Sequence, residues 1–213
     1  MTEATRLYRQ EHSMDAFFMQ ARRSFTPLSL VILLFPTLCN AHALHGTGFL
    51  AGLTHPALGM DHLLAMLSVG ILSALIGGHA LWLLPVTFVS VMVLGGGVAL
   101  SDIVIHGQES GISLSVVILG AAIAFGRKIP TAPTLSFVAL FAFFHGYAHG
   151  AELPGGTSAQ LFIAGFAIGT AVIHVLGVFI GHFASHNGRT LMALRFAGAF
   201  FSGIGFHILT GLR

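Results

Sequence analysis

Two short runs carry nearly all the side chains that could do chemistry. The first is His55-Pro-Ala-Leu-Gly-Met-Asp61-His62. Pro56 suits the first turn of a helix, where its missing N–H is not needed. On such a helix His55 sits at the mouth, and His62, seven residues on, lies nearly beneath it. Met66 continues that stripe. Asp61 points about 100° away, so it either completes a metal shell across helices or orients a histidine from behind. The second run is Phe144-His145-Gly-Tyr-Ala-His149-Gly-Ala-Glu152. Its spacing of i, i+4, i+7 puts His145, His149 and Glu152 on one helix face. Two imidazoles one turn apart can share a divalent ion, and a carboxylate one turn further adds charge. Nitrogen and oxygen donors without thiolates suit Ni, Co, Zn or Cu(II). A relay of protons is the other chemistry open to these residues.

The elements that hold them must be membrane spans. Of 213 residues, 55% are hydrophobic and 8% charged, against about 25% charged in a soluble domain. Mean hydropathy is +0.89. Such a chain cannot cover a water-exposed surface, which excludes a cytosolic enzyme, and it is too apolar for disorder. A formal charge of +2 with no basic run gives no footprint for nucleic acid. The single cysteine, Cys39, excludes a disulfide framework and a CxxC zinc site. Thirteen histidines stand against nine Lys and Arg and seven Asp and Glu. Ionisable groups inside spans cost about 2.5–3.5 kcal/mol each and mark functional sites by default.

The fold expected is therefore an all-α integral membrane protein. Arg22-Arg23, an apolar run from Leu28 to Leu38 and the ending Ala41-His-Ala43 describe a cleavable signal peptide over residues 1–43. The polar stretch before it suggests a physiological start at Met14 or Met19. The remainder, 44–213, holds six apolar segments at about 56–77, 80–100, 112–126, 133–151, 158–184 and 190–211. Signal cleavage puts the mature N-terminus outside the cytoplasmic membrane. Arg127-Lys128, Arg189 and Arg195 then fall at inside loops, whereas Asp102, Glu109 and Glu152 lie outside; only Arg213 disagrees. Gly165/Gly169, Gly177/Gly181 and Ala199/Gly203 form small-residue faces, usable for packing within one chain or for a homo-oligomer.

These depths group the polar residues. His55, His62, His145, His149 and Glu152 converge in the outer half, with His207 near the outer end of the last span. His174 lies about 24 Å along the fifth span, toward the inside. His182, His186 and His79 lie beyond it, either as an exit path or as solvent-facing bystanders. Cleavage after Ala43 would also expose the amine of Leu44 beside His45, a set able to chelate a square-planar ion such as Ni(II).

His55-Pro-Ala-Leu-Gly-Met-Asp-His-Leu-Leu-Ala-Met66, taken with the run from Phe144 to Glu152, resembles the HupE/UreJ family of nickel/cobalt permeases. The likeness covers most of the mature chain. It implies secondary uptake of Ni²⁺ or Co²⁺ across the bacterial cytoplasmic membrane, upstream of hydrogenase or urease maturation. It also implies a ligand set of His55, Asp61 and His62 with His145, His149 and Glu152. No Walker motif is present, so the driving force would be the membrane potential, about 2.3 kcal/mol per charge per 100 mV. The competing classes are a membrane-embedded zinc hydrolase, which needs three ligands and an activated water, and an accessory protein that binds metal without moving it.

Overall fold

The computed structural model describes residues 48–101, 103–126, 129–153 and 158–211. The expected signal peptide, His45, Asp102, Arg127-Lys128 and Arg213 lie outside them. Every element among the described residues is helical. The order is α1 (Phe49–Thr54), a 3-10 turn (His55–Ala57), α2 (Met60–Ile76), α3 (Ala80–Ala99), α4 (Gln108–Phe125), α5 (Thr131–Ala151), α6 (Ala159–Ser185) and α7 (Gly188–Thr210). Helix starts and stops follow local chemistry. Ser158 Oγ accepts from the Leu161 N–H, and Asn187 Oδ1 from the Arg189 N–H, as N-caps. Gly77 and Gly78, at φ of 75° and 56°, turn the chain between α2 and α3 through a region closed to most side chains.

Helices α3, α4, α6 and α7 are long and apolar enough to cross a membrane. Together with large apolar side chains exposed on their outer faces, such as Trp82, Val86, Phe179 and Phe200, they describe a multi-pass membrane protein. Helix α5 has 21 residues but falls short in hydropathy, because His145, Gly146, Tyr147, His149 and Gly150 dilute its second half. The site itself lowers the signal of the helix that carries it.

The first expected span is not one helix. The segment Phe49–Ala57 and α2 meet at 80° across a short break, forming either a broken span or a re-entrant loop. Gly59, in an extended conformation, caps α2, so Pro56 belongs to the 3-10 turn and not to the first turn of the span. His55 and His62 consequently sit on different elements. The third expected span, 112–126, starts earlier, at Gln108, because Gly107 in the left-handed region lets the helix begin directly after the turn.

Three helix pairs dominate the packing: α3 with α5, α4 with α7, and α2 with α6. Each is drawn together by glycine. A Cβ on Gly146 would run into the Met92 carbonyl of α3, and one on Gly70 into the His174 carbonyl of α6. Gly165 and Gly169 receive α1, while Gly177 and Gly181 receive α2. Those two small-residue faces thus serve packing within the chain. Ala199 and Gly203 are exposed, and Gly203 has open space around it. The core between the pairs is built from Met66, Val69, Leu84, Phe88, Val116, Val138 and Phe166, with His145, His149, Thr170 and His174 buried among them.

Candidate metal centre

Three elements deliver four imidazoles to one place. His55 comes from the 3-10 turn, His62 from the first turn of α2, and His145 and His149 from the last two turns of α5. Ring centroids of His62 and His149 are 4.2 Å apart, those of His62 and His145 5.0 Å, and those of His55 and His149 4.8 Å. Phe162 and Phe166 of α6 close the cluster on the apolar side, with Phe166 4.2 Å from the His149 ring. His145 and His149 are buried; His62 and Asp61 are largely so.

Hydrogen bonds fix which nitrogens remain free. His145 Nδ1 lies 2.9 Å from the Phe141 carbonyl, which can only accept, so the ring proton is on Nδ1 and the Nε2 lone pair is open. Asp61 Oδ1 accepts from His62 Nδ1 at 2.7 Å and from the His62 backbone N–H at 2.8 Å. That again leaves Nε2 open. This arrangement, a carboxylate behind an imidazole, is the one that orients metal-binding histidines. His62 Nε2, His145 Nε2 and both nitrogens of His149 are buried without a hydrogen-bond partner. Buried polar atoms are normally satisfied, so these clustered nitrogens, which between them carry three free lone pairs, call for a ligand that accepts lone pairs. A cation is such a ligand.

At the rim, one donor atom from each of His55, His149 and Glu152 lies within 4.8 Å of the others. Glu152 is the exposed C-cap of α5, so its carboxylate extends the cluster toward the surface. Gly59 is required close by. A Cβ there would stand 2.8 Å from His62 Nδ1 and 3.0 Å from Asp61 Oδ1. A cavity between α3, α5 and α6 opens beside the cluster, lined by Met92, Gly96, Gly146, His149, Gly150 and Phe166.

Other expected residues fall elsewhere. Met66 is fully buried in the apolar core. His207 is exposed on α7, outside the ring contacts that join the cluster. His182 and His186 are exposed and pair with each other at 4.6 Å between centroids, and His79 is exposed at the start of α3. His174 is buried deeper in α6. The structure adds Glu109, in the first turn of α4, within electrostatic range of Asp61, His62 and Glu152. Its loop is held down by Tyr147 of α5, whose hydroxyl donates to the Ile103 carbonyl at 3.0 Å and accepts from the Ile105 N–H at 2.9 Å. Nothing in the spacing of Glu109 announces this; its acidity at an expected outside loop was the available hint.

The family described as HupE / UreJ protein matches residues 30–208. Protein HupE of Rhizobium leguminosarum bv. viciae is 43% identical over 151 residues, covering 70% of this chain and 79% of the relative. No solved structure matches. With a profile that spans both histidine runs and the helices that carry them, the chain belongs to the HupE / UreJ family.

Proposed function

We propose that this protein is a secondary transporter taking up Ni²⁺ or Co²⁺ across the bacterial cytoplasmic membrane through the His55, His62, His145, His149 and Glu152 cluster, with Asp61 holding His62. The observation that carries the reading is the set of buried, unpartnered imidazole nitrogens that α2 and α5 bring together. Neutral imidazole is a good ligand for these borderline ions, and a carboxylate at the rim offsets part of the dication's charge. A signal peptide over 1–43, six spans and an outside N-terminus would place the cluster at the side from which metal arrives. Arg195 suits that orientation: its Nη2 reaches the Gly126 carbonyl at the end of α4, next to Arg127-Lys128. The membrane potential then favours entry of a dication by about twice 2.3 kcal/mol per 100 mV, enough to concentrate a scarce metal. Delivery to hydrogenase or urease maturation proteins is the downstream use.

The test is uptake of radiolabelled nickel and of cobalt by cells carrying the wild type, His62→Ala or His149→Ala. Saturable uptake that both substitutions abolish supports the proposal, and the ratio of the two isotopes gives the metal. Metal-independent accumulation, or variants that transport like wild type, would refute it. Turnover of a lipid or peptide substrate by purified protein without metal flux would favour the hydrolase class.

A further inference from the structure

Beyond the cluster, one more imidazole is buried with both nitrogens unpartnered: His174, on α6, 1% exposed. One aromatic ring touches both it and the cluster. Phe88 of α3, fully buried, has its centroid 5.4 Å from His145 and 5.0 Å from His174, edge-on to both. One turn along the same two helices, Thr170 Oγ1 donates to Met92 Sδ at 3.7 Å, and Met92 also lines the cavity beside His149. The α3–α6 seam therefore links the cluster to His174, with Phe88 packed against both.

We propose that His174 is a second, inner ligand for the transported dication, and that the Phe88 ring is the movable barrier between it and the outer imidazole cluster. The inference rests on the metal-transport reading above. An orphaned imidazole in an apolar interior costs free energy unless something binds it, and packing alone would have been served better by leucine. A dication cannot pass a dry, closed aromatic contact without ligands on both sides, because shedding water and protein donors together costs many kcal/mol. A ring whose centroid stands about 5 Å from an imidazole of the cluster and from that of His174 is placed to act as a hydrophobic gate. Movement has a local origin: Pro85, inside α3 and three residues before Phe88, supplies no N–H to the preceding turn.

The experiment places a reporter at position 174. His174→Cys is made in a Cys39→Ser background, purified in detergent as the full chain, and mixed with Co²⁺. A near-ultraviolet thiolate-to-cobalt band absent from the His174 parent is expected, and it should develop about tenfold faster or more when Phe88→Ala is added. In proteoliposomes, His174→Leu should carry Co²⁺ about tenfold more slowly than the wild type or worse. Wild-type flux together with no band and undiminished flux through His174→Leu would overturn the inner ligand. A band whose rate ignores Phe88→Ala would overturn the gate. If the wild type neither binds nor carries metal, the transport reading beneath has failed instead.

Discussion

Asp61→Asn separates two roles that the sequence leaves open for this carboxylate. In the structure, one oxygen of Asp61 accepts both the ring Nδ1–H and the backbone N–H of His62. Asparagine keeps an oxygen in place but removes the charge. A hydrogen bond to a charged acceptor contributes about 1.5–3 kcal/mol and a neutral one about 0.5–1.5, so the ring bond should lose about 1–1.5 kcal/mol. That loss is felt when His62 must hold its Nε2 lone pair on the ion, and it corresponds to about a tenfold weaker site. It falls at the lower end of the 10–100-fold range for groups that orient metal ligands. Half-saturating metal in an uptake assay should rise about tenfold with little change in maximal rate. The ligand-field spectrum of Co²⁺ at saturation should keep the wild-type band shape, because no ligand has been exchanged. An altered spectrum would make Asp61 a direct ligand, and an unchanged affinity would mean that the carboxylate does not orient His62 at all; either result refutes the reasoning.

Protons compete with the metal for imidazole lone pairs, so metal affinity should weaken as the medium is acidified, and an affinity that ignores pH down to acid unfolding would argue against histidine ligation. Gly146→Ala would push a methyl into the α3 backbone at Met92 and should cost about 1–3 kcal/mol, read as a lower melting temperature in detergent. Gly203→Ala, with open space around it, should melt no lower than wild type. Tyr147→Phe removes both hydrogen bonds to the segment before α4; about 1–3 kcal/mol should be lost, and hydrogen exchange at the Ile105 amide should quicken.

Periodicity was sufficient for His145 and His149, one turn apart on α5 and both in ring contact with His62, while Glu152, the C-cap of that helix, meets His149 at the rim. The same arithmetic misdescribes the first run. Pro56 is compatible with a helix start, but the chain uses it in a 3-10 turn and restarts the helix after Gly59. What decides this is the close approach of Gly59 to His62 and Asp61, a contact invisible to spacing. His55 still joins the cluster, by a bend and not by a helical repeat. Glu109 is not legible as a site residue for a related reason: the charges that reach it, on Asp61, His62 and Glu152, belong to other elements, and no local pattern encodes that meeting. The apolar runs gave the positions of α3, α6 and α7 to within a few residues, since long hydrophobic stretches bounded by glycine, serine or asparagine leave little freedom. His174 was legible as a buried histidine, whereas the ring that stands before it came only from the packing of α3 on α6.

The break ahead of α2 also sets an electric field across the pocket. His62 belongs to the first turn of α2, at the helix's electropositive end, and His149 to the last turn of α5, at an electronegative one. A dication between them is pushed from one side and drawn to the other by about 0.3–1 kcal/mol per unit charge, more where water is excluded. Asp61, in that same first turn, cancels much of the repulsion. With that carboxylate behind His62 and the electronegative end of α5 opposite, both flanks of the cluster favour a cation.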